Sequence, residues 1–115
     1  MPFHALTDPD DLDAAVDRSE QEPVVLYKHS SACGISYRAR RRLEPLAEAD
    51  DAPPIYEVVV QEAQPVSNAI AERLGIRHET PQVIVLWQRE AVFDTSHSRI
   101  TADAVREHLP TTDPA

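Results

Sequence analysis

The segment Val24-Val25-Leu26-Tyr27-Lys28-His29-Ser30-Ser31-Ala32-Cys33-Gly34-Ile35-Ser36 limits what this chain can become more than any other. It opens on an unbroken apolar run, the pattern of a strand buried on both faces. Polar residues follow, and then a helical pattern from Ser36 to about Ala49, with Ile35, Ala39, Leu43, Leu46 and Ala47 at the spacing of one helix face. A strand that turns at once into a helix leaves its connecting loop at the mouth of a sheet, and the one thiol of the chain, Cys33, lies on that loop. A cysteine at a helix N-terminus meets unpaired backbone N–H groups and the positive end of the helix dipole. Both favour thiolate over thiol, and cysteines so placed titrate anywhere from roughly 3.5 to 7.5. Lys28 and His29 add positive charge nearby, and Ser36 is expected to turn its hydroxyl and N–H toward the sulfur. The plain alternative is a small buried hydrophobe, a common fate of free cysteines. Ser30, Ser31, Gly34 and Ser36 are poor core companions, so the reactive reading leads.

The 115 residues fit one domain, 1–115. A net charge of −9 argues against nucleic acid as a partner, since phosphate binding needs a basic footprint. No run approaches the roughly 18 to 20 apolar residues of a membrane span, and the first residues carry no signal-peptide pattern. One cysteine cannot form an internal disulfide. The expectation is a cytoplasmic protein with neither nucleic-acid nor membrane partners.

Around the cysteine segment the elements follow in a readable order. Asp8 caps a first helix with Pro9 at its first position, acids in its first turn, and Leu12, Ala15 and Val16 on its apolar face. After the Cys33 helix, whose outer face carries Arg40-Arg41-Arg42 with Glu44 and Glu48, Pro45 is expected to kink or shorten it. Ile55 to Val60 is a second strand. Pro65 opens a helix with Val66, Ala69, Ile70 and Leu74 inward, and Gly75 closes it. Gln82 to Trp87 and Ala91 to Thr95 form a hairpin across Gln88-Arg89-Glu90, and a last helix runs from Thr101 to about Leu109, before a frayed Pro110–Ala115. Helix, then β-α-β-α-β-β-α, predicts a mixed four-stranded sheet with helices on both faces and an extra N-terminal helix. That is the thioredoxin-like fold.

Several stretches resemble the monothiol bacilliredoxins of the YtxJ type. They are Lys28-His29-Ser30 with Cys33 and Ile35-Ser36; Val60-Gln61-Glu62; Gln64-Pro65-Val66-Ser67-Asn68-Ala69-Ile70-Ala71-Glu72; His78-Glu79-Thr80-Pro81-Gln82-Val83; and Ser96-His97-Ser98-Arg99-Ile100-Thr101. The resemblance implies thiol–disulfide exchange with bacillithiol, a low-molecular-weight thiol, as co-substrate and no tightly bound cofactor. Cys33 would take bacillithiol from client proteins as a mixed disulfide. Ser36 stands where a second thiol could sit, so an external reducing thiol must clear the adduct. Thr80-Pro81 matches the loop that faces the active site with a cis proline and pairs with substrate backbone. Lys28 is the best cation for the thiolate or a cofactor carboxylate, and His29, Gly34, His97 and Arg99 complete the expected cofactor groove.

Gly34 departs from the proline usual in that family and is expected to loosen the helix start. Cys33-Gly34-Ile35-Ser36 therefore also resembles the Cys-Gly-Phe-Ser signature of monothiol glutaredoxins, which carry a [2Fe–2S] cluster. Their Gly-Gly-Cys-Asp segment is replaced here by Asp94-Thr95-Ser96-His97. A non-catalytic thioredoxin-like binding module is the third reading. His29, His78 and His97 suggest a metal site with Cys33, but no CxxC or HxxxH spacing supports one, and none is expected.

Overall fold

The computed structural model describes residues 3–110. Five strands, β1 (Phe3–Ala5), β2 (Val24–His29), β3 (Ile55–Val59), β4 (Gln82–Trp87) and β5 (Glu90–Ser96), form one sheet in the order β1-β3-β2-β4-β5. β1 and β2 run parallel to β3, while β4 is antiparallel to both β2 and β5. Helices α1 (Pro9–Arg18) and α3 (Gln64–Leu74) contribute to the core on one face, and α2 (Gly34–Ala47) and α4 (Ala102–Glu107) to the core on the other. The expected four-stranded sheet is therefore corrected to five strands. The added strand, β1, has three residues, of which only Phe3 is buried, too few to show the alternation that marks a strand in sequence.

β2 lies centrally and every one of its residues is buried. Alternation sends Val24 and Leu26 into the core under α1 and α3, and Val25 and Tyr27 into the core under α2. The helix ends follow the expected chemistry. Asp8 and Asp11 form a reciprocal capping box at α1, Thr101 accepts from the Ala104 N–H at α4, and Gly75 ends α3 in the left-handed region. α2 runs through Pro45 and stops two residues later at Ala47. The hairpin is tighter than expected: Gln88 and Arg89, both at positive φ, make a two-residue turn between the paired residues Trp87 and Glu90. The last helix ends at Glu107, short of Leu109, and residues 111–115 of the expected frayed end lie outside the described residues.

Candidate active site

Cys33 is the N-cap of α2, in extended conformation, and is partly exposed. Its side chain makes no cap hydrogen bond, so the thiol stands beside the unpaired first-turn N–H groups without being consumed by them. Three contacts fix the loop before it. The N–H of Cys33 donates to the Ser30 carbonyl at 3.3 Å. The Ser30 N–H donates to Ser36 Oγ at 3.2 Å. Gln61, from the turn that follows β3, donates through Nε2 to Ser30 Oγ at 2.7 Å and accepts at Oε1 from the Ser31 N–H at 3.1 Å.

Ser36 therefore does something other than expected. Its N–H donates to the Cys33 carbonyl and its Oγ accepts from Ser30, and among the described residues no hydrogen bond reaches the sulfur of Cys33. Ser36 is fully buried, and it shapes the loop that presents the thiol. The Ser36 carbonyl in turn accepts from the Tyr27 hydroxyl at 2.6 Å. That hydroxyl also meets Nδ1 of His29 at 3.1 Å. A phenol has one proton, so with it committed to Ser36 the Nδ1 of His29 is the donor, and Nε2 is left as the ring's acceptor. Burial, first of all, pushes the His29 pKa down, which keeps the ring neutral. The His29 ring meets that of Tyr37, in the first turn of α2, at a near-perpendicular angle with centroids 4.6 Å apart. His29 thus supports the Cys33 loop and adds no positive charge to it.

Lys28 is also placed otherwise than the sequence suggests. As a β2 residue of even parity it points to the α3 side of the sheet, away from Tyr27 and His29. It is wholly buried, and its ammonium donates to Nδ1 of His78 at 3.1 Å. Burial lowers its pKa from 10.5 to about 8. His78, close also to Ser67 Oγ at 3.4 Å, has its pKa lowered by burial and then by the Lys28 charge.

Pairing of Lys28 with Gln82 brings the start of β4 beside the end of β2, so Thr80 and Pro81 come to the Cys33 end of the sheet. The Thr80–Pro81 bond is cis, and the Pro81 carbonyl accepts from the His97 N–H at 3.1 Å. His97 stands at positive φ in a single 3₁₀ turn, His97–Arg99, that the sequence reading missed, with its ring 3.5 Å from Glu79. Ile35, Arg38, Arg42, His97 and Ser98 line a groove of about 240 Å³ next to the first turn of α2. Arg38, Arg42 and Arg99 have no acidic partner within salt-bridge distance among the described residues. The expected cofactor groove is thereby divided. His97 lies on the α2 side with Arg99 in the same turn, and Lys28 lies across the sheet on the α3 side. Gly34 is the first residue of α2, with open space around the position of a Cβ. Among the described residues no three His, Cys, Asp or Glu side chains come together to hold a metal.

Two contributors were missed. Gln61 and Tyr27 hold the loop through long-range contacts that local patterns do not report, since each looks like an ordinary strand residue or linker.

The family model of the monothiol bacilliredoxin BrxC matches residues 4–105. The chain belongs to that family. Solved structures agree on the fold. A structure described as a candidate oxidoreductase with a thioredoxin fold is 25% identical, covers 92% of each chain and superposes with a TM-score of 0.83. Thioredoxin of Fasciola hepatica is 15% identical at a TM-score of 0.74, over 90% of this chain and 93% of its own. The reduced Schistosoma mansoni thioredoxin pre-protein is 18% identical at a TM-score of 0.74, over 92% of this chain and 97% of its own. Family and fold together support thiol redox chemistry, and Cys33 is the one thiol available for it.

Proposed function

We propose that this bacilliredoxin removes bacillithiol from client proteins, with Cys33 as the nucleophile. The observation that carries the reading is a single thiol at the N-cap of α2, uncapped by its own side chain and held on a loop latched by Ser36 and Gln61. The Cys33 thiolate attacks the bacillithiol sulfur of the client mixed disulfide. One S–S bond forms as the other breaks, and the client leaves as a thiolate that takes a proton from solvent. A disulfide is exchanged for a disulfide, with no net oxidation. Because Ser36 replaces a resolving cysteine and its side chain is bound to Ser30, a second, external thiol must attack the Cys33–bacillithiol adduct.

Thr80 and Pro81 offer backbone to the client chain, and Gly34 leaves the approach to Cys33 open. His97 and Arg99 meet the client or the small thiol on the α2 side. The basic groove beside Cys33, on a chain of net charge −9, suits acidic partners and neither nucleic acid nor a membrane surface. No helix among the described residues is long and apolar enough to cross a membrane. The reading implies bacillithiol in the compartment where the protein works, the cytoplasm.

The test is intact-mass spectrometry with a bacillithiolated client. The protein should gain one bacillithiol on Cys33 while the client loses it, and the adduct should persist until an external thiol is added. Cys33→Ser should give no transfer. If the wild-type protein gains no bacillithiol, the proposal fails.

A further inference from the structure

Two of the large apolar side chains left exposed among the described residues, Ile35 and Tyr37, stand in the first turn of α2 beside the thiol. Tyr37 belongs to the Cys33 loop, since its hydroxyl donates to the Ser31 carbonyl at 3.4 Å and its ring meets that of His29. Ile35 instead opens a stripe. At spacings of three and then four residues, Ile35, Arg38 and Arg42 share one face of α2. That face forms a wall of the groove of about 240 Å³ completed by His97 and Ser98.

The charge of this groove is out of keeping with a chain of net charge −9. Arg18, Arg40, Arg73 and Arg89 each reach a carboxylate, whereas Arg38 and Arg42 reach none among the described residues. Glu79, the one acid that meets a lining residue there, lies 3.5 Å from His97. Arg42 makes a long 3.5 Å bond to the Ser98 carbonyl, which draws it across the groove and leaves most of its N–H donors unspent. Two guanidinium forks behind an apolar entrance suit carboxylate side chains. The spacing also fits a peptide. At a helical rise of 1.5 Å per residue, Arg38 and Arg42 stand roughly 7.5 and 13.5 Å along α2 from Cys33. An extended chain covers those lengths in about two and four residues, and its second and fourth side chains fall on one face.

We propose that the stripe Ile35, Arg38 and Arg42 is a client-docking groove that selects target cysteines followed or preceded by acidic residues at about the second and fourth positions. This deepens the function proposed above and rests on it. The disulfide exchange itself is unchanged; the groove decides which client thiols reach Cys33. A client with lysines at those positions meets two like charges and is turned away.

Two peptides test it, each a bacillithiol mixed disulfide of one cysteine, with either aspartate or lysine at the second and fourth positions on both sides. Both carry the same small thiol, so the ratio of their rates reads the client alone. Transfer to the full chain is followed by intact mass at about 0.15 M salt, where a screening length of ~8 Å removes most of the field of distant acids. The aspartate peptide should react at least tenfold faster, and the ratio should fall toward one at about 1 M salt. Arg38→Glu with Arg42→Glu, at two exposed positions, should invert the preference, which a loss of stability cannot imitate. Equal rates for the two peptides, or a ratio that the double variant leaves unchanged, overturns the groove while the transfer function stands. If the double variant slows exchange with free bacillithiol disulfide as much as it slows the aspartate peptide, the groove takes the small thiol and the proposal falls. A dimer in sedimentation that the double variant dissolves gives the groove to a second copy, with the same result. Should neither peptide transfer bacillithiol, the transfer function fails, and amide NMR with serine in place of the peptide cysteine decides the groove. Saturable shifts of Ile35, Arg38 and Ser98 with the aspartate form alone support it; equal response to both forms, or none, overturns it.

Discussion

A lysine held at about pKa 8 inside a protein ties stability to alkaline pH with a definite sign. Between about 8 and 10.5 the unfolded chain binds more protons at Lys28 than the folded one, so stability rises with pH across that window. The full effect is on the order of 3 kcal/mol at 1.36 kcal/mol per unit. Urea denaturation at pH 7.5 and 9.5 should therefore show wild type gaining on Lys28→Met, whose difference removes the contributions of other groups. A constant difference between the two proteins would mean that Lys28 is not desolvated. At this scale the place of Cys33 was legible, because a lone thiol at a strand-to-helix junction is a local pattern. The directions of Lys28 and Ser36 were not. Both depend on which face of the sheet or helix a side chain leaves from, and on partners such as His78 and Ser30 that only the fold brings near.

At the scale of the element, α2 shows why the glycine after Cys33 is tolerated and what it costs. Gly34 is the first helical residue, its added Cβ would meet nothing within 4 Å, and Cys33 before it is already extended at φ −128° and ψ 121°. Those are the demands of a proline: a free first-turn position and a preceding residue outside the helical region. Gly34→Pro should raise the unfolding free energy by about 0.4–1 kcal/mol, mainly by restricting the unfolded chain, with Cys33 still alkylated by iodoacetamide. A lower melting temperature would show that the loop needs the glycine. The expectation that Gly34 loosens the helix start thus meets a helix that begins at Gly34 itself. Strands β2, β3 and β4 and all four helices were legible, because apolar periodicity, caps and prolines act over a few residues. Their ends shifted where the signal was tertiary: β5 gained Glu90 and Ser96 by pairing with Trp87 and Gln82.

For the molecule as a whole, order along the chain was enough to give the architecture but not its edges. The central strand carries the thiol loop, and the sheet divides the expected cofactor residues into two sets, a separation invisible in one dimension. β1 completes the sheet through a pairing that spans about fifty residues, with Phe3 opposite Ile55 and the Arg40 guanidinium 4.3 Å above the Phe3 ring. Arg40 is itself held by Glu57 at 2.7 Å. A strand of three residues on the rim of a sheet, with one buried side chain, adds few apolar contacts of its own and is expected to open before the rest. Its amides should therefore lose protection from hydrogen exchange at a free energy well below that of β2, in an opening that leaves the Cys33 loop folded. Exchange of β1 and β2 amides at the same rate would instead make them one cooperative unit. If β1 opens alone, the outer edge of β3 becomes free to accept another chain's strand for as long as the opening lasts.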